Sequence, residues 1–372
     1  MHLGKVLLAM SGGVDSSAAA ILLMNSGYHV EGATMRLWSD NEEAAENTVG
    51  SAAEICKTLN IKHHVLDYRD DFKNEIVEYF LSEYHKGRTP NPCVLCNRRF
   101  KFGRFYNYAM SAGFDFISTG HYARIADENG KKAILIAKHI QKDQSYVLYN
   151  LKQDMLSHIL LPLGDLSKND VRKITAEFNL PSAESPESQE ICFISNDDYI
   201  DFLNKFSTIK SQPGNFIDLS GNVLGRHTGI TNYTIGQRKG LGVAFGEPRY
   251  VVSINPGDNT VTLGGNDDTY SSAVLCSDFN FINDDYLKYI SSHASNSFSS
   301  IDDEFSSYET QSAVQAKIRY KSTPADAYIS IHSGNLRVDF KKPQRAATPG
   351  QSVVLYCGDK LIGGGVIESV IK

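Results

Sequence analysis

The chain of 372 residues contains no apolar run approaching the ~18 residues needed to cross a bilayer, so it reads as having no membrane helix. Its amino terminus lacks the profile of a signal peptide, and a cytoplasmic location is therefore expected. Cysteine is scarce. Six cysteines in a reducing compartment point to catalytic, metal-binding or buried thiols rather than to structural disulfides. No second C-x-x-C accompanies the one at Cys93 and Cys96, which excludes a four-thiolate zinc site. The pattern Gly-x-x-x-x-Gly-Lys is missing, so there is no Walker-type loop with its phosphate lysine. No internal repeat is present. Positive charge is not in excess either: a net charge of −6 argues against a strongly basic nucleic-acid binder, although net charge hides local patches. What remains is an ordinary globular composition, 41% hydrophobic and 22% charged, in a chain long enough for two or three domains.

Against these absences one stretch stands out. The apolar run Val6-Leu7-Leu8-Ala9-Met10 leads directly into Ser11-Gly12-Gly13-Val14-Asp15-Ser16-Ser17 and then into the helix-compatible Ala18–Met24. This reads as a buried strand, a tight glycine turn and the first turn of a helix. Glycine at 12 and 13 lets the backbone take positive φ and approach a phosphate closely. Unpaired N–H groups at the new helix end, helped by the helix dipole, then point at the anion. Ser11, Ser16 and Ser17 add hydroxyls, and Asp15 is suited to hold a magnesium ion beside the phosphates. The run Ser11–Ser17 resembles the PP-loop of the ATP pyrophosphatases, which adenylate a substrate and release pyrophosphate.

Strand-like runs at 5–10, 29–36, 62–67 and 115–119 alternate with helical stretches near 14–26, 42–59, 69–85 and 96–112. The alternation predicts an α/β fold, a doubly wound parallel sheet whose ligand sits beyond the carboxyl ends of its strands. A hairpin over 122–138 turns at Glu128-Asn129-Gly130, and helices follow near 144–150 and 168–178. A polar loop over 181–190 leads to Ile191-Cys192-Phe193-Ile194. Residues 201–268 are turn-rich and read as a small central domain with β structure. From 269 to 372, strand-like runs at 313–320, 324–332, 335–340, 351–357 and 361–370 predict a small closed or half-open antiparallel barrel. The Ser-rich stretch 291–307 reads as a surface insertion. Residues 1–200 would then form the ATP-binding catalytic domain.

Cys93 and Cys96 follow two prolines and precede a helix that carries Arg98 and Arg99, so a lowered pKa is expected for them. Lys86, Arg88, Arg98, Arg99, Lys101 and Arg104 have no acidic residue among them, which fits either a solvated helix face or a polyanion contact. Cys192, taken alone, reads more readily as a core residue than as a reactive one. Cys56, Cys276 and Cys357 read as core.

Further motifs occur in a fixed order: Asn91-Pro92-x-x-x-Cys96-Asn97, Thr119-Gly120-His121-Tyr122, Lys142-Asp143-Gln144-Ser145-Tyr146, Glu190-Ile191-Cys192-Phe193, Gly236–Gly242, Arg319-Tyr320 and Thr348-Pro349-Gly350-Gln351. Together with the glycine loop they span essentially the whole chain, which resembles the tRNA-specific 2-thiouridylases of the MnmA/TrmU family. The resemblance implies ATP-dependent sulfur transfer to the wobble uridine of tRNA, with Cys192 carrying a persulfide and Cys96 as its partner thiol. It implies ATP contacts at Leu8 to Ser16, with Met35 and Gly120 at the adenine; packing alone would explain Met35 equally well. It implies tRNA contacts at Asn91, Pro92, Cys93, His121, Lys142, Asp143, Gln144, Arg319, Tyr320 and Gln351. Asp143 reads independently as a helix cap, and a locally hydrogen-bonded His121 is nearly as good a reading. The partners implied are tRNA, a sulfur donor (a cysteine desulfurase or persulfide relay protein) and a thiol reductant.

One position departs from the family pattern. Cys93 stands where better-described members carry an aspartate assigned to acid/base work. Three cysteines, Cys93, Cys96 and Cys192, can therefore hold a [4Fe–4S] cluster with one iron open, as an alternative to the persulfide route. A PP-loop thiolase acting on another tRNA nucleoside is the alternative activity. An amide-forming PP-loop synthetase lacks its glutaminase domain here, and a tRNA binder with a dead site is at odds with an intact loop and all three cysteines.

Overall fold

The computed structural model describes residues 3–128, 130–178, 180, 182, 191–195, 198–243, 246–286 and 314–372. The chain divides into two compact units. The first is Met1–Glu78 with Pro92–Asp198 and Asp359–Leu361; the second is Tyr79–Asn91 with Tyr199–Gly358 and Ile362–Lys372.

The first unit is built on a parallel sheet of β1 (Lys5–Ala9), β2 (His29–Arg36), β3 (His63–Asp67), β4 (Phe116–Ser118) and the short Ile159–Leu160, in the order β3-β2-β1-β4 and then Ile159–Leu160. Val6, Leu7 and Leu8 of the central β1 are wholly buried, as expected of a strand covered on both faces. Helix α1 (Val14–Asn25) packs between the sheet and a later helix, with Ala18, Ala19 and Ala20 all fully buried. Helix α2 (Glu42–Thr58) begins at Asn41, whose side chain accepts from the Ala44 N–H, and buries Ala52, Ile55 and Cys56. The hairpin Ala123–Glu128 with Lys131–Ile136 turns at Gly130 with φ +81°, and Leu361 and Lys360 pair with Ile134 and Leu135.

Two helical stretches differ from expectation. The run 96–112 is not one α-helix: Pro92–Cys96 is followed by wide π turns over Asn97–Arg104, then by Phe105–Ser111. Gly103 makes this possible, because a Cβ there would lie 2.8 Å from the Arg98 carbonyl oxygen five residues back. Residues 69–85 contain a similar π segment at Lys73–Val77. The helix expected near 144–150 is only a short 3-10 turn, Ser145–Leu148.

In the second unit, four strands pair in the order Tyr250–Asn255, Thr260–Gly264, Gly214–Ile217, Val223–His227, round a small core of Phe216, Tyr233, Val251, Val261 and Leu263. Six further antiparallel strands close into a barrel: Tyr270–Phe281, Asn335–Arg345, Ala325–His332, Val314–Lys317, Ser352–Cys357 and Lys360–Ile371, the last pairing back to the first. Its interior is filled by Val274, Cys276, Leu336, Val338, Val353, Leu355 and Ile367. The twelve-residue strand Tyr270–Phe281 is absent from the sequence reading. Cys357 corrects its reading as core: it is exposed, at the end of its strand, whereas Cys56 and Cys276 are buried. The stretch 291–307 and the loop 183–190 lie outside the described residues.

Candidate functional site

The glycine turn lies at the carboxyl end of the central strand, where parallel sheets bind ligands. Gly12 takes φ +72°, and a Cβ there would meet Ser51 Cβ at 2.8 Å, so both conformation and space demand glycine. Gly13 is the residue before α1, and no side chain caps that helix end. Its first N–H groups thus lack the usual side-chain acceptor and suit an incoming anion. Ser16 and Ser17 instead turn their hydroxyls onto the Gly13 carbonyl, each at 3.0 Å, which stiffens the turn. Ser11 N–H donates to Ser16 Oγ at 3.3 Å. Gly120 lies against the same helix start: a Cβ there would be 3.2 Å from Asp15 Cβ and from Ser16 N. Met35 is half-buried near the carboxyl end of β2, opposite Leu66.

Asp15 is already partnered. Lys168 Nζ donates to its two carboxylate oxygens at 2.7 and 2.9 Å, and the Tyr122 hydroxyl donates to Oδ1 at 2.6 Å. The carboxylate that the sequence offers to magnesium is therefore neutralised by a lysine. Nothing near the loop announces Lys168, which sits 153 residues away. The only local cue is the Ser167–Asp170 capping box, which marks a helix start and no site.

The three cysteines also gather in this unit. Cys96 is buried, while Cys93 and Cys192 present surface to solvent. Cys192 and Cys93 both act on the titration of Cys96, Cys93 acts on that of Cys192, and the charge of Lys101 acts on all three. Contrary to the lowered pKa expected, packing round the sulfurs desolvates the thiolate and pushes Cys96 up to about 12 and Cys192 up to about 11, with Cys93 also raised. Lys101 opposes this in all three without overcoming it. Among the described residues no group of three His, Cys, Asp or Glu side chains is arranged to hold a metal ion. All six cysteines are free.

Cys192 occupies a turn rather than a core strand, with the Ile194 N–H donating to the Ile191 carbonyl at 3.0 Å. Two anchors fix that turn. Phe193 is buried edge-on against Phe72, with ring centroids 5.7 Å apart. The Asp40 carboxylate accepts from Ser195 N–H at 3.1 Å and from Ser195 Oγ at 2.6 Å. The sequence reading missed Asp40, which is distant in the chain and sits in no motif. Beside Cys96, Asn97 donates from Nδ2 to the Cys93 carbonyl at 2.9 Å and ties the C-x-x-C turn.

His121 is buried, with Nδ1 2.7 Å from Thr119 Oγ1 and its ring 5.8 Å from that of Phe102. Burial, then the nearby charge of Lys101, holds its pKa well below the usual histidine range, so it is neutral at pH 7. Asp143 corrects its reading as a helix cap: the residue before the turn Ser145–Leu148 is Gln144, and the buried Asp143 instead accepts from Ala137 N–H and from Ser145 N–H and Oγ. Gln144 Oε1 accepts from Tyr122 N–H at 3.0 Å, while Lys142 ends a short 3-10 turn. The six cations at 86–104 are not all uncompensated. Arg104 pairs with Asp71 and Glu75, Lys86 and Arg88 pair with Glu83, and Arg99 is exposed. Pro92 is in the first unit; Asn91, Arg319, Tyr320 and Gln351 are in the second. There Gln351 Nε2 donates to the Thr89 carbonyl at 2.8 Å, Arg319 donates to the Arg345 carbonyl at 3.1 Å, and Tyr320 is exposed.

Three family profiles match in succession: a tRNA methyl transferase HUP domain over residues 4–196, a tRNA methyl transferase PRC-barrel domain over 200–265, and an aminomethyltransferase beta-barrel domain over 293–367. A tRNA-specific 2-thiouridylase MnmA of Acetivibrio thermocellus is 45% identical, covering 98% of this chain and 99% of its own. The chain belongs to the tRNA-specific 2-thiouridylase MnmA family. Other members include those of Clostridioides difficile, 42% identical over 98% of both chains, and of Carboxydothermus hydrogenoformans, 44% identical over 98% of this chain and 97% of that one. The family's HUP portion contains the glycine loop and the three cysteines together. No described helix is long and apolar enough to cross a membrane.

Proposed function

We propose that the chain is an ATP-dependent tRNA-uridine 2-sulfurtransferase working in three steps. The C2 oxygen of the wobble uridine attacks the α-phosphate of ATP, releasing pyrophosphate and leaving an adenylated base. A persulfide on Cys192, charged by a cysteine desulfurase or persulfide relay protein, attacks C2 through its terminal sulfur and AMP departs. The Cys96 thiol then attacks Cys192 Sγ, the sulfur on C2 leaves as the thiocarbonyl, and a Cys96–Cys192 disulfide forms, which an external thiol reduces. A carbonyl oxygen is a poor leaving group until adenylated, and a persulfide is a strong nucleophile near neutral pH. In this reading residues 1–200 do the chemistry, and 201–268 and 269–372 present the tRNA. Asn91, Pro92, Cys93, His121, Lys142, Asp143, Gln144, Arg319, Tyr320 and Gln351 are the proposed tRNA contacts.

The observation that carries the proposal is that Cys93, Cys96 and Cys192, with Cys96 feeling both of the others, lie in the same unit as a glycine loop with an uncapped helix end. Magnesium would travel with the ATP phosphates. The persulfide route is preferred to the cluster route because it needs only Cys96 and Cys192 and no bound metal.

The test is Cys192→Ser in purified enzyme with ATP, tRNA and a protein persulfide donor. Thiolation should stop while pyrophosphate release persists; normal thiolation by this variant would end the persulfide assignment. Anaerobic incubation with iron and sulfide should leave the wild type without a cluster. A bound cluster, lost together with thiolation in Cys93→Ala, would replace the persulfide step.

A further inference from the structure

We propose that Lys168 is the phosphate lysine of the nucleotide site, aimed by Asp15 and Tyr122. The inference rests on the nucleotide reading of the glycine loop and goes beyond it by naming a cationic ligand for the polyphosphate.

The loop has N–H groups and hydroxyls but, without Gly-x-x-x-x-Gly-Lys, no cation of its own. The fold brings one in. Lys168 begins the helix Lys168–Glu177, which packs against α1, and its ammonium reaches Asp15 in the first turn of α1. Only 13% of the lysine side chain is exposed, and its Nζ stands 6.0 Å from the centre of the Tyr122 ring.

The sign of the surroundings argues against a merely structural ion pair. A carboxylate in the first turn of a helix is already stabilised by the dipole, so Asp15 has little need of a lysine. The same dipole repels a cation at the start of α1, and Lys168 also opens its own helix, a second unfavourable place for positive charge. Nearby Asp170 is occupied by Ser167 N–H and Oγ. Two helix starts and a sheltered ammonium thus meet with Asp15 between them. Such an arrangement suits an anion carrying several charges, and pyrophosphate is the portion of ATP that meets this description. Asp15 then acts as a positioning residue, holding Lys168 toward the phosphates through its carboxylate while Tyr122 steadies that carboxylate.

Calorimetric titration of the full chain with inorganic pyrophosphate tests this. Lys168→Met should weaken binding about tenfold or more, the scale of one charge-assisted hydrogen bond, and Lys168→Arg should keep most of the affinity. The double variant Asp15→Asn/Lys168→Met separates the two roles. If Lys168 touches phosphate, the double variant stays as weak as Lys168→Met. If Lys168 only neutralises Asp15, the double variant regains wild-type affinity and the proposal is overturned. Unchanged affinity in folded Lys168→Met also overturns it. A wild type that binds neither pyrophosphate nor ATP overturns the nucleotide reading itself. Should Lys168→Met not fold, acetylation of the wild type decides: pyrophosphate should shield Lys168 from the reagent, and an unshielded Lys168 contradicts the assignment.

Discussion

Cys192 is a protonated thiol at neutral pH, because burial of its sulfur pushes the pKa up to about 11. A bare thiol of this kind is a slow nucleophile near neutral pH. Its alkylation by iodoacetamide should accelerate with pH until about 11, read as a mass shift on the Cys192 peptide; a plateau near pH 8 would contradict the burial argument. His121 gives the opposite sign. Its folded pKa lies well below 6.5, so it stabilises the fold above that value, and the stability is lost as pH falls through the folded pKa. Across that window the slope is about 1.4 kcal/mol per pH unit. Denaturant titrations at pH 7, 6 and 5 should show this loss in the wild type and not in His121→Gln; equal slopes would contradict it. At this scale the sequence was readable where chemistry depends on neighbours in the chain, as in Ser11–Ser17. Lys168 was hidden because its partner is 153 residues away. The thiol shifts were hidden because desolvation depends on packing, whereas the adjacent arginines suggested the reverse.

The element that presents Cys192 is a turn, held just after the thiol by buried Phe193 and by Ser195 on Asp40. Asp40→Ala removes both Ser195 hydrogen bonds and releases this turn. Thiolation should fall about tenfold, while pyrophosphate release and nucleotide binding stay near wild type, because the bonds lost are those to the turn that carries Cys192. Equal loss of both activities would mean that Asp40 supports the whole unit. The parallel strands were legible because their apolar runs are short and bounded. The strand Tyr270–Phe281 was not, because bulges between Ser271 and Ala273, Leu275 and Cys276, and Ser277 and Asn280 break its alternation. The π turns at Asn97–Arg104 were also invisible, since hydrophobic spacing does not distinguish them from an α-helix at that length.

For the whole molecule, the sequence conveyed a nucleotide-type parallel sheet and a closing barrel, and both are present. It did not reveal that the compact units are discontinuous, with Tyr79–Asn91 assigned to the unit that contains the barrel. Glu83 receives Lys86 and Arg88 there, and Arg88 also pairs with Glu368, 280 residues away. Such pairings need the folded chain to be seen, which is why the 86–104 stretch looked uncompensated. The central claim at this scale is ATP-dependent replacement of the C2 oxygen of a tRNA uridine by sulfur. Mass analysis of nucleosides from tRNA incubated with the purified protein, a persulfide donor and ATP tests it most directly. The account predicts 2-thiouridine derivatives at the wobble position that appear with ATP, vanish without it and fail to form with Cys192→Ser. Sulfur on a different nucleoside, or thiolation that proceeds without ATP, would contradict it.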